Sequence, residues 1–132
     1  MPKSIQIIAI ILLIGLFASP TFAQEEEFDQ IVKIVKSGNA KELVKKFAVK
    51  VELNINGDEA TYSKSQAEAV LKDFFDKNPP VLFEVSHRGE SKGGLPYAIG
   101  ELQSKSATFR VWIRLAKSSG KYLVSEMSFL EE

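Results

Sequence analysis

Asn78-Pro79-Pro80 divides this chain into two kinds of sequence. A proline ring cannot continue a helix, and it pushes the residue before it toward extended backbone. Upstream, apolar residues recur mostly at helical spacing; downstream, they alternate with polar ones at the two-residue period of strands. A chain that places its helices first and most of its strands afterwards folds as an α+β unit.

The upstream part resolves into short elements. Phe28, Ile31, Val32 and Val35 fall at i, i+3, i+4 and i+7, one face of a helix over 25–37. Lys33 and Lys36 suit its C-terminal dipole, and Gly38 suits the residue just beyond it. Asn39 with Glu42 three residues on opens a short second helix carrying Leu43, Val44 and Phe47. Val49, Val51, Leu53 and Ile55 alternate with polar residues, a half-buried strand ending at Asn56-Gly57-Asp58. Ser63 and Gln66 have capping-box spacing, and Ala67, Val70, Leu71, Phe74 and Phe75 form the stripe of a third helix that the prolines stop. Four strands follow, over 81–88, 95–103, 107–117 and 121–130, joined by short turns. The predicted order is α-α-β-α-β-β-β-β.

Ahead of all this, Lys3 precedes an apolar run from Ile5 to Phe17, and Pro20-Thr21-Phe22-Ala23 follows it. These are the three regions of a secretory leader, with small residues at the positions a signal peptidase reads. The run is too short for the roughly 20 apolar residues that span a bilayer. The sequence therefore predicts a signal peptide over 1–23, cleavage between Ala23 and Gln24, and a single domain over 24–132 in the periplasm or outside the cell. About 110 residues remain after the cut, the usual length of one domain. The chain has no cysteine, which rules out a lipid-anchored N-terminal Cys, disulfide staples and thiolate zinc sites. Lys+Arg and Asp+Glu each number 17, so there is no basic field to recruit nucleic acid.

The element order resembles the nuclear transport factor two-like superfamily, also called SnoaL-like or ketosteroid-isomerase-like, with a cystatin-like fold. Phe74-Phe75, Pro79-Pro80, His87-Arg88-Gly89, Tyr97-Ala98-Ile99-Gly100 and Phe109-Arg110-Val111 further resemble a family of small exported bacterial domains of unknown function within it. The resemblance covers residues 25–132. It implies a cone: a strongly curved antiparallel sheet wrapped around a long helix, with a cavity on the concave side. It also implies a homodimer through the outer sheet face, and it supplies no cofactor and no reaction. Superfamily isomerases use an inward aspartate with a tyrosine donor, but Asp58, Asp73 and Asp76 sit at a turn or on the third helix.

Strict alternation puts Val81, Phe83, Val85 and His87 on one face of the first downstream strand, so His87, the only histidine, is expected to point into the cone. Its imidazole could serve as a general acid or base, or bond a backbone carbonyl at the edge of the core. Tyr97 and Glu101 share a face of the next strand and are the candidates to meet it. A buried Glu101 would have a raised pKa; the plainer alternative is a solvated carboxylate on the convex face, and the outcome turns on how the strand curves at Gly100. No second histidine or carboxylate stands at metal-ligand spacing. Thr108, Arg110, Trp112 and Arg114 form a face opposite to Phe109, Val111, Ile113 and Leu115. A tryptophan between arginines suits a protein contact, and equally an ordinary exposed sheet covered by long side chains. Gly89, Gly93 and Gly94 read as hairpin residues with positive φ.

Two functional readings result. One is a non-catalytic accessory module that binds a small apolar ligand in the cone, or a protein through Arg110, Trp112 and Arg114. The other is a cofactor-independent acid-base enzyme with His87, Glu101 and Tyr97 converging in the cone.

Overall fold

The computed structural model describes residues 19–132, with side chains from Phe22 onward. The apolar run of the predicted leader lies outside the described residues, while Ala23 and Gln24 lie inside the first helix. The elements are α1 (Ser19–Ser37), α2 (Ala40–Val44), β1 (Phe47–Ile55), β2 (Asp58–Ser63), α3 (Lys64–Lys77), β3 (Pro80–Glu90), β4 (Pro96–Ser104), β5 (Thr108–Ser118) and β6 (Lys121–Glu131). The predicted order holds with one strand inserted. The strands form a single sheet in the order β2-β1-β6-β5-β4-β3.

The inserted strand is β2. Asn56 and Gly57 both take positive φ, 54° and 91°, the backbone that a tight hairpin turn requires. The chain therefore turns back rather than ending, and β2 pairs antiparallel with β1. Asn56 also ties the hairpin down, donating its N–H to Phe129 O at 2.9 Å and accepting from Glu131 N–H at 2.8 Å. The sheet is mixed rather than antiparallel throughout, because β1 lies parallel to β6. An irregular register between Phe47 and Glu52 breaks the alternation of β1, so Val49 is exposed while Val51 and Leu53 are buried.

The caps form as their spacing predicts. Asn39 Oδ1 accepts from Glu42 N–H at 3.1 Å, and Ser63 and Gln66 make a reciprocal capping box. Phe28, Ile31 and Val35 bury the inner face of α1, and Ala67, Leu71, Phe74 and Phe75 that of α3. On the concave side of the sheet Phe74 packs against Phe109 and Phe129, ring centroids 5.0 and 4.6 Å apart. Phe83, Leu102, Val111, Ile113, Leu115 and Met127 complete that side. The interior of the cone is thus packed with apolar side chains, as the transfer of this much apolar surface from water requires.

Candidate functional site

The site residues are positioned by an irregularity in β3. Val85 pairs with Gly100 but His87 pairs with Ile99, so Ser86 is an extra residue, a β-bulge whose Oγ donates to Ile99 O at 3.2 Å. A bulge shifts every later side chain to the other face. His87 therefore lies on the outer, convex face and is exposed, which corrects the expectation that it points into the cone. Arg88 turns inward instead, lies over the Phe28 ring at 5.6 Å, and binds Asp29 at 2.7 Å, pinning α1 to β3.

Gly100 accommodates the bulge. A Cβ there would come within 2.6 Å of Glu84 O and 2.8 Å of the Phe83 ring, so β3 can approach this closely only over a glycine. With Gly100 on the inner face, the alternation of β4 sends Tyr97, Ile99, Glu101 and Gln103 outward. Glu101 is exposed, stands opposite Arg110 on β5, and accepts from Gln103 Nε2 at 3.4 Å.

His87 Nε2 and Tyr97 Oη are 3.1 Å apart. Tyr97 in turn lies across Gly89, where a Cβ would come within 2.9 Å of its hydroxyl. Gly89 is therefore needed for this close packing and not for a positive φ, whereas Gly93 and Gly94 do take positive φ. The Tyr97 and Trp112 rings stack at 4.8 Å and 12°. Arg114 lies over Trp112 at 5.7 Å and binds Glu126 at 3.1 Å. His87, Tyr97, Trp112, Arg114 and Glu126 thus form one continuous line of contacts across four strands. Arg110 stays outside the stack and binds Glu132 at 3.3 Å.

The line continues toward β1 and β2 as carboxylates. Glu52 stands beside Glu126, and Glu59 is held above the ordinary carboxylate range, first by a hydrogen bond shared with Glu52, then by the charges of Glu52 and Glu126. Sequence reasoning missed these three. Glu52 and Glu126 become neighbours only through the parallel β1–β6 pairing, which no local pattern announces.

The structure thus joins His87 to Tyr97 and sets Glu101 near them on the same face. Among the described residues no hydrogen bond links Glu101 to either. His87, Glu101 and Arg110 border a shallow outer depression of about 430 Å³ with Glu84, Ile99 and Glu132. A cleft of about 540 Å³ lies elsewhere, between the β1–β2 hairpin and α3, with Tyr62, Val70 and Phe74 in its wall. An acid-base triad inside the cone is not formed, because all three of its members stand outside.

Residues 28–129 match the model of a domain of unknown function, DUF4783. The chain belongs to this family. The DUF4783 domain here is 27% identical to a DUF4783 family protein from Bacteroides uniformis, with a TM-score of 0.73 over 77% of this chain and 94% of that one. It is 29% identical to another from Bacteroides ovatus, at a TM-score of 0.72 over 77% of this chain and 92% of that one. A nuclear transport factor two-like protein of unknown function from Shewanella baltica, 14% identical, shares the fold at a TM-score of 0.64 over 85% of this chain and 93% of that one. No curated protein matches the chain. No helix among the described residues is long and apolar enough to cross a membrane.

Proposed function

We propose that this DUF4783 protein is an exported, non-catalytic binding module whose docking surface is the outer sheet face, and that its partner there is a second copy of the same chain. The observation that carries this reading is the division of labour across the sheet. The concave face is filled by phenylalanines and aliphatic side chains, while His87, Tyr97, Trp112 and Arg114 are ordered against one another on the open face.

A second copy is the occupant that the charge pattern favours. Arg110 and Arg114 run along β5 near the middle of the face, and Glu52 and Glu59 stand toward one edge, on β1 and β2. A two-fold axis over β6, between them, would set each group against its opposite on the partner, with the exposed Leu130 of β6 near the centre and Trp112 beside it on β5. Aromatic and arginine side chains in such a centre carry most of an interface's binding energy.

Export is part of the proposal and rests on the Lys3, Ile5–Phe17 and Thr21-Phe22-Ala23 pattern. Fractionation of cells expressing the full chain, followed by sedimentation over a concentration series, tests both parts. We expect a dimer outside the cytoplasm, weakened on the order of tenfold or more by Trp112→Ala. A chain that stays monomeric at every concentration, or dimerises equally well as Trp112→Ala, would overturn the second copy as partner. Retention of the uncut chain in the cytoplasm would overturn export.

A further inference from the structure

We propose that the N-terminal residue left by leader cleavage, Gln24, closes into pyroglutamate, and that the hydroxyl of Tyr122 assists the closure. The inference rests on the export reading above, since cleavage after Ala23 is what frees the Gln24 amine.

Gln24 is not a loose terminal side chain. It is half-buried on α1, and its Nε2 donates to Tyr122 Oη at 2.9 Å, a contact between residues at opposite ends of the chain. Tyr122 is partly buried against the core and is flanked by Lys117, whose Nζ lies 5.7 Å from the ring centroid. The hydroxyl is therefore held in place beneath the first turn that the mature protein would have. The backbone ahead of Gln24 is open: Ala23 borders a cleft of about 510 Å³ together with Glu26, Glu27, Lys46 and Tyr122. Cutting after Ala23 would leave the new amine facing that space.

The chemistry needs no further reactant. Once the α-ammonium loses a proton to water, the amine nitrogen attacks Cδ of its own side-chain amide. The N–Cδ bond forms as the carbonyl electron pair moves onto oxygen. The attacking nitrogen gives its second proton to water, and Nε2 gains a proton. The C=O then re-forms as the Cδ–Nε2 bond breaks and ammonia leaves. Departure of an amide nitrogen is the demanding part of this step, because it must be protonated as it leaves. Tyr122 Oη already stands at hydrogen-bond distance from that atom. The hydroxyl accepts from Nε2 in the resting amide. Once attack makes Cδ tetrahedral and Nε2 basic, it can turn its proton toward Nε2 and recover one from water, as general acid catalysis requires. The attack draws on proximity as well, since nucleophile and carbonyl belong to one residue.

The product suits the helix. A positive α-ammonium at a helix N-terminus opposes the macrodipole, whereas carboxylates there favour it. Ring closure removes the positive charge and leaves Glu25, Glu26 and Glu27 in the opening turns. It also leaves no free amine for an aminopeptidase to grip in the compartment where the protein would reside.

The test uses the full chain expressed in an exporting host, collected early from outside the cytoplasm, purified, and followed by mass spectrometry of its N-terminal peptide. We expect a peptide beginning at residue 24 that becomes lighter by one ammonia during incubation in buffer. The change should be on the order of tenfold slower in Tyr122→Phe, with its fold checked by circular dichroism. Gln24→Ala, which cannot close the ring, should keep its amine. A peptide beginning elsewhere would overturn the cleavage reading and this inference together. A peptide beginning at Gln24 that keeps its amine would overturn this inference alone. Equal rates in the wild type and in Tyr122→Phe would overturn the part given to Tyr122.

Discussion

The two faces of β4 and β5 share one backbone and answer to different demands. On the concave side Ala98, Leu102, Phe109, Val111 and Ile113 are almost wholly removed from water. On the convex side Tyr97, Ile99 and Trp112 are half-buried while Glu101 and Arg110 are exposed. The concave residues are interchangeable in kind, needing only to be apolar and of the right volume. The convex ones are not, because a stack, a cation over a ring and an ion pair each need a particular partner. The convex side chains are thus ordered by pairwise contacts rather than by full burial.

The concave side should therefore show the largest loss of stability. Phe129 is fully buried and meets both Phe74 and Phe75. Phe129→Ala should destabilise the protein by about 3–5 kcal/mol in denaturant unfolding. Trp112→Ala, across the same sheet, should cost only about 1 kcal/mol while disrupting self-association. If the two substitutions cost the same stability, the contrast between a structural face and a docking face collapses.

Gly100 lies where the two faces meet, so a change there sharpens the comparison. In Gly100→Ala the new methyl would meet Glu84 O, a backbone atom that cannot swing aside, and the Phe83 ring. The expected cost is about 1–3 kcal/mol, read by thermal unfolding. Because β3 must shift at the bulge, the His87 ring signals should also move in NMR spectra as its contact with Tyr97 loosens. Unchanged His87 signals would mean that the bulge does not depend on the glycine.

These residues also show what was legible in the sequence. Helix caps and apolar stripes are local: Asn39 with Glu42 and Ser63 with Gln66 could be read directly, and both formed. The inward face of β5 was legible because its alternation runs without interruption from Phe109 to Ile113. His87 was misplaced because a single extra residue, Ser86, inverts everything after it, and serine carries no mark of a bulge. The clue lay on the neighbouring strand, in Gly100, whose missing side chain admits β3. The strand β2 was hidden by its own composition: Asp58, Glu59, Thr61 and Ser63 offer little apolar alternation, since this edge strand is largely exposed. Only Asn56-Gly57 pointed to it. The line from Tyr97 through Trp112 to Arg114 and Glu126 was visible in part, because Trp112 and Arg114 are close in sequence and Glu126 is not.

The smallest effect belongs to the acidic end of the convex face. Glu59 shares a hydrogen bond with Glu52, and the Glu126 charge adds to the repulsion although Arg114 binds it. Raising the pKa of Glu59 in the folded protein above its unfolded value means that the folded state holds its proton more tightly. Stability then falls as pH rises through the carboxylate range, and the penalty is complete above the folded value. Below the unfolded value, about pH 4, both states are protonated and the penalty is absent. Glu59→Gln removes the charge but keeps a donor for Glu52. It should raise the unfolding midpoint slightly at pH 7 and leave it unchanged near pH 3, the two values measured in parallel thermal scans. A gain of equal size at both pH values would show that Glu59 acts through packing rather than charge, and that the acidic strip is not held under repulsion that an opposing arginine strip could relieve.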